Sequence, residues 1–163
     1  MKDLIYQAFT TINIRLLEKE DKEELLQAFS HTKSLKLRDH IAAMFAGLNY
    51  TDAIPYMIEK IESAECHNHN LALVNALSKM DTVPYFIDMV RIMCTQDTEV
   101  RLAAFDIACR NIRFVEDDLK NEAINMLRTI AECKKKRGVV DLDARLELMS
   151  RLEECLSDHL KVA

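Results

Sequence analysis

Apolar residues recur along this chain at the three- and four-residue steps of an α-helix, in short runs separated by polar turns. Residues 2–18 place Ile5, Phe9, Ile12 and Leu16 on one helical face. The charged run from Glu18 to Glu24 covers a turn and opens a second helix, whose apolar face is Leu25, Leu26 and Phe29. Acids in a first turn suit the positive end of the helix dipole. Beyond the polar link 31–34, Leu37, Ile41, Met44, Phe45 and Leu48 share one face of a third helix. Further helices are expected from Asp52 to a turn at 65–70, over 71–80 with Val74 and Leu77 buried, and from Asp81 to about Cys94. The next covers 99–112, with Val100, Ala104, Ile107 and Ala108 inward. Two longer helices follow. One spans about 117–136 on Leu119, Ala123, Leu127 and Ile130; the last starts near Asp141 on Leu142, Leu146, Met149, Leu152, Leu156 and Leu160.

One stretch is written twice. Residues 52–61 and 81–90 align without a gap at an offset of 29, matching Asp52 with Asp81, Pro55 with Pro84, Tyr56 with Tyr85 and Ile58 with Ile87. The remaining pairs keep their character: Ile54 with Val83, Met57 with Phe86, Glu59 with Asp88 and Ile61 with Val90. Self-similarity at such a period marks a repeat architecture. In each copy the Asp is placed to cap a helix and the Pro falls in the first turn, where a missing N–H costs nothing. Helix pairs begin near Asp21, Asp52, Asp81 and Asp117, at spacings of 31, 29 and 36 residues. The expected fold is therefore all-α, with about eight or nine helices in a stack of antiparallel hairpins. It forms a single domain over 1–163: an N-terminal capping helix at 1–20, three hairpin repeats over 21–112 and a longer capping hairpin over 115–160. Terminal units of such a stack must cover its exposed core ends, so atypical ends are expected.

Composition agrees. The chain holds only two glycines and two prolines in 163 residues, far too few for the turns of a sandwich or barrel. At this length a single core buries about two-thirds of the unfolded surface. The net charge of −5 argues against a nucleic-acid binder, which carries a basic face, and suits a basic protein partner. Five cysteines, an odd number without a CxxC pair, read as reduced thiols of a cytoplasmic protein. No apolar run approaches the ~18 residues of a membrane span.

The segment Asp97-Thr98-Glu99-Val100-Arg101-Leu102-Ala103-Ala104 resembles the second helix of a HEAT-like repeat: a small polar turn before Val-Arg, then alanine three residues after the arginine. Leu37-Arg38, with Ile41 three residues on, is similar and stands 63 residues earlier. The two Pro-Tyr helices resemble the matching first helices. The resemblance covers 21–112 well and 115–156 loosely; the middle unit departs from it, with Asn70-Leu71 where Val-Arg would stand. It implies a short right-handed α-solenoid of the armadillo type, in which second helices line a concave face that binds macromolecules. The repeated Pro-Tyr helices would then form the convex side and set the spacing.

On helix 99–112, Val100, Ala104, Ile107 and Asn111 cluster inward, while Leu102, Phe105 and Cys109 fall opposite, with Asp106 beside them. The register of the repeat sets Ala42 and Asn75 at the position of Phe105, and Asp39 and Ala72 at that of Leu102. An outward aromatic among small and polar neighbours has the character of a recognition anchor. The competing reading buries Phe105 between helices, since solenoid helices are often apolar all round. The candidate partner-binding set is Asp39, Asn75, Arg101, Leu102, Phe105 and Asp106.

Other chemistry is weaker. Cys66-His67-Asn68-His69 gathers metal-ligand types, but zinc spacings are absent and a solvated turn explains it better. The basic run 134–137 could hold phosphate, yet it stands at a helix C-terminus, where cations are favoured anyway. Glu116-Asp117-Asp118 complements a helix start in the same way. No glycine-rich elbow presents a nucleophile, so no catalytic residue, metal or cofactor is expected. The expectation is a non-enzymatic, protein-binding module. Its size and acidity are similar to bacterial HEAT-like immunity proteins that neutralise basic toxin or nuclease domains. The alternatives are a small helical-repeat enzyme, a ligand chaperone resembling bilin lyases with a cavity near Cys109 or His69, or a nucleic-acid binder using Arg38, Arg101, Arg110, Arg113 and the 134–137 run.

Overall fold

A computed structural model describes residues 19–63, 69–137 and 142–161. Regular structure among them is entirely helical, in eight α-helices and three short 3-10 turns. We label the helices α1 (Lys19–His31), α2 (Leu35–Leu48), α3 (Ile54–Glu62), α4 (Leu71–Leu77), α5 (Phe86–Thr95), α6 (Thr98–Asn111), α7 (Asp117–Arg137) and α8 (Leu142–Lys161). The all-α expectation is met. The expected helix over 2–18 lies outside the described residues. Among the described residues, no helix is long and apolar enough to cross a membrane.

The chain divides into two compact units, Met1–Met80 and Asp81–Ala163. The division falls where the second copy of the repeated stretch begins. In the first unit α1 packs on α2, α2 on α4, and α3 on α4. Its core includes Leu25, Phe29, Ile41, Phe45, Met57, Ile61, Leu73, Val74 and Leu77. Phe29 and Phe45 meet edge-on with ring centres 5.6 Å apart, a geometry that matches positive ring edge to negative face. Helix α2 starts at Ser34, whose hydroxyl accepts from the Leu37 N–H, and stops at Asn49, left-handed at φ 49°. Asparagine tolerates that conformation and so can close a helix.

In the second unit α5 packs on α6 and α7, α7 on α8, and α6 on α8. Val100, Ala104, Ile107 and Ala108 of α6 are buried, as the spacing predicts, together with Phe86, Met89, Val90 and Met93 of α5. Each large apolar side chain so buried contributes about 1.5–3 kcal/mol. Helix α6 begins at Asp97, whose carboxylate accepts from the Val100 N–H at 3.2 Å. Asn111 donates from Nδ2 to Oγ1 of buried Thr82 at 2.9 Å, tying the end of α6 to the entry of α5.

The two copies of the repeat share buried positions, Met57 with Phe86 and Ile61 with Val90. They start differently. In the first, a 3-10 turn at Thr51–Ala53 precedes α3, so Asp52 lies inside that turn and makes no capping bond. In the second, Asp81 accepts from the Val83 N–H, and the 3-10 turn is Val83–Tyr85 itself. The capping expected of Asp52 is thus corrected, because the helix begins two residues later. The return helix expected over 71–80 ends at Leu77; Ser78, Lys79 and Met80 close it with backbone turns.

These starts make a contrast that denaturation can measure. Asp97→Ala removes a bonded cap and should lower stability by about 1 kcal/mol. Asp52→Ala removes none and should stay within about 0.5 kcal/mol of the parent. Equal losses from the two changes would contradict these assignments.

Candidate functional site

The outer side of α6 carries the candidate site. A capped start at Asp97 and inward Val100, Ala104 and Ile107 fix the rotation of the helix, and this leaves Leu102 and Asp106 exposed. Leu102 retains 48% of its surface, one of few large apolar side chains to do so among the described residues. Phe105 is half-buried, and the Arg151 guanidinium of α8 stands 5.4 Å from its ring centre. A cation over an aromatic face at that distance is attracted by the ring quadrupole, about 0.5–1 kcal/mol where solvent reaches it. One turn on along α6, Cys109 is half-buried, and Cys155 of α8 is exposed.

The face therefore combines an apolar tip at Leu102, a ring steadied by a cation, an exposed carboxylate at Asp106 and the half-buried Cys109 thiol. Phe105 is thus neither fully outward nor fully buried. The partner that covers it, Arg151, is 46 residues away in sequence, beyond the reach of local periodicity.

The other expected site residues fall elsewhere. Arg101 is buried, with 2% of its surface exposed, so it cannot serve as a contact residue without rearrangement. The wheel places it beside Val100, and a long aliphatic stem lets arginine enter a core when its head finds polar company. Asp39, in the first unit, accepts from Arg38 Nε at 2.9 Å and Nη2 at 2.6 Å. Arg38 is itself buried and also donates to the His69 carbonyl. Asn75, on α4, is exposed, whereas Ala42, at the same register of the repeat, is fully buried. Equal register does not give equal exposure here.

The burial of Arg38 and Arg101 removes two members of the basic stripe that nucleic-acid binding would use. Arg110 and Arg113 are exposed, the latter stacked 4.7 Å from the ring centre of exposed Phe114. The run 134–137 forms the last turn of α7. Burial, and next the charge of Arg145, draws the Lys134 ammonium below its usual range. Of the Cys-His-Asn-His cluster, Cys66, His67 and Asn68 lie outside the described residues, and His69 is exposed. Among the described residues no group of three or more His, Cys, Asp or Glu converges as a metal site would. A shallow depression along α8, lined by Ser150, Glu153, Glu154, Ser157, Asp158 and Lys161, contains no His or Cys.

Burial pushes the Cys109 thiol up to about 11, with Cys155 and Asp106 adding to the rise. It pushes Cys94, at the end of α5, up to about 12 against the pull of Lys134, Arg145 and Arg101. The chain matches no family model, no curated protein and no solved structure.

Cys94 gives a pH prediction. Its folded form holds the proton more tightly than a free thiol at 9.0. The associated stability is present below the free-thiol value and is lost as pH rises toward about 12. The loss approaches at most about 1.4 kcal/mol per pH unit. The difference in unfolding free energy between the parent and Cys94→Ala should shrink as pH rises from 9 toward 11. A pH-independent difference would show that the thiol is not held protonated by the fold.

Proposed function

We propose that the chain is a non-enzymatic protein-binding module, a short right-handed α-solenoid of antiparallel hairpins related to HEAT-like repeats, and that the outer face of α6 contacts the partner. The observation that carries this reading is the exposed Leu102 beside Phe105 and Asp106, with the ring already held by Arg151. Interface energy concentrates in a few aromatic and apolar anchors surrounded by a polar rim, and this face has that composition.

The net charge of −5 and the carboxylate of Asp106 favour a basic partner, for which long-range attraction speeds encounter. An immunity protein that blocks a basic toxin or nuclease domain is the narrower form of the proposal. Further support for the repeat relationship lies in two helix starts of one kind, Ser34 before Arg38 and Asp97 before Arg101, each a capped turn followed by a buried arginine.

The test is to recover the partner on the tagged chain from native extract at low salt, purify it, and measure affinity by calorimetry. Phe105→Ala should weaken binding by at least about 30-fold, the effect of a loss near 2 kcal/mol at an interface anchor. Asp106→Lys should chiefly slow association with a basic partner. Both variants should keep the parent's circular dichroism. Parental affinity in both would remove α6 as the contact face, and repeated recovery of no protein would count against the module itself.

A further inference from the structure

We propose that the chain pairs with a second copy of itself through an antiparallel two-fold contact along α6. The observation is an exposed ridge. Leu102, Asp106, Arg110 and Phe114 follow one another at steps of four residues, and all four are exposed. The Ile112 N–H donates to the Ala108 carbonyl, so the helical path continues past Asn111 into the turn Ile112–Phe114. Leu102 and Phe114, at 48% and 61%, are the large apolar side chains left exposed in this unit among the described residues. Ridges at four-residue spacing are those along which packed helices commonly interlock.

The ridge reads apolar, acidic, basic, apolar, and that order decides which occupant fits. In an isologous contact, residue i of one copy meets residue j of the other, and j meets i. Reversing the ridge sets Leu102 against Phe114 of the second copy and Asp106 against its Arg110. Each contact then occurs twice. A parallel arrangement would instead set Asp106 against Asp106 and Arg110 against Arg110, which like charge disfavours. In the antiparallel register Ala103 lies opposite Arg113, so a small side chain leaves room for a long one. An exposed guanidinium carries several N–H donors, so Arg110 can keep contacts within its own chain and still pair across the interface. The register closes at Phe114, because the extended backbone of Val115 ends the helical path.

From Leu102 to Phe114 the ridge covers about 18 Å. Such a contact stands at the small end of specific interfaces, so the dimer forms in a concentration-dependent way. This inference does not rest on the partner-binding reading, since it concerns the purified chain alone. It adds a consequence to that reading: a partner on the outer face of α6 has to displace the second copy.

Sedimentation equilibrium of the purified full chain, from micromolar to near-millimolar, should show a reversible monomer–dimer equilibrium. Asp106→Arg should weaken the dimer at least about tenfold, because two attractive pairs become two repulsive ones. Arg110→Asp should do the same. The double variant restores both pairs in the reversed sense and should return to within about threefold of the parent. Asp106→Arg also brings the net charge of −5 nearer to zero, so general charge repulsion predicts the opposite result, tighter association. Circular dichroism matching the parent's shows that each variant is folded. A chain that stays monomeric throughout, or a dimer that neither single change weakens, would overturn the proposal. So would a double variant that fails to recover.

Discussion

Helix ends carry backbone groups with no partner inside the helix, and a fold of short helices has many such ends. In this chain polar side chains that are wholly or partly buried meet that demand. Arg38 enters the core of the first unit and donates to the His69 carbonyl, just ahead of α4. Buried Asn70 donates to the Ile61 carbonyl at the end of α3. In the second unit Arg145 donates to the Gln96 carbonyl at 3.0 Å, where α5 ends. An unmet buried carbonyl costs about 1–3 kcal/mol, comparable to a whole apolar side chain. Each such donor therefore bears on stability about as much as one buried apolar side chain does.

That role explains which parts of the fold can be read directly from the chain. Periodicity reports burial along one helix, and it placed Val100, Ala104, Ile107 and Ala108 inward, as found. The doubled Pro-Tyr stretch matched Met57 with Phe86 and Ile61 with Val90 in character, and all four prove to be buried. Local pattern gives no account of a charged residue that turns inward to serve a distant carbonyl. Arg38 and Arg101 therefore read as surface cations when only their charge is considered. Asp52 shows a different limit, since residue type permits a cap but a 3-10 turn moves the helix start past it. The match of Ala42 with Asn75 fails for a related reason: the repeat conserves spacing, while the packing neighbours of each helix differ.

The outer face of α6 shows the same division. Its composition was legible: Leu102, Phe105, Asp106 and Cys109 at steps of three and four residues. Its completion by Arg151 was not, because α8 contributes it from 46 residues away. Reading α8 by its buried positions, Met149, Leu152 and Leu156, leaves Arg151 as a flank residue with no evident purpose. Only the packing of α8 against α6 gives it one.

The contact between Arg151 and Phe105 also bears on the proposal that this face, among several exposed ones, serves recognition. A free phenylalanine on a surface must lose rotamer freedom when a partner covers it, and that ordering offsets part of the gain from burial. Phe105 is already half-buried and held by a guanidinium, so less of that cost remains. Phe114, with 61% of its surface exposed, has Arg113 beside it, but that cation is its own chain neighbour and braces it against no second helix. A ring braced across two packed helices is the better-organised anchor, and preorganisation, more than exposed area, separates tight interfaces from loose ones.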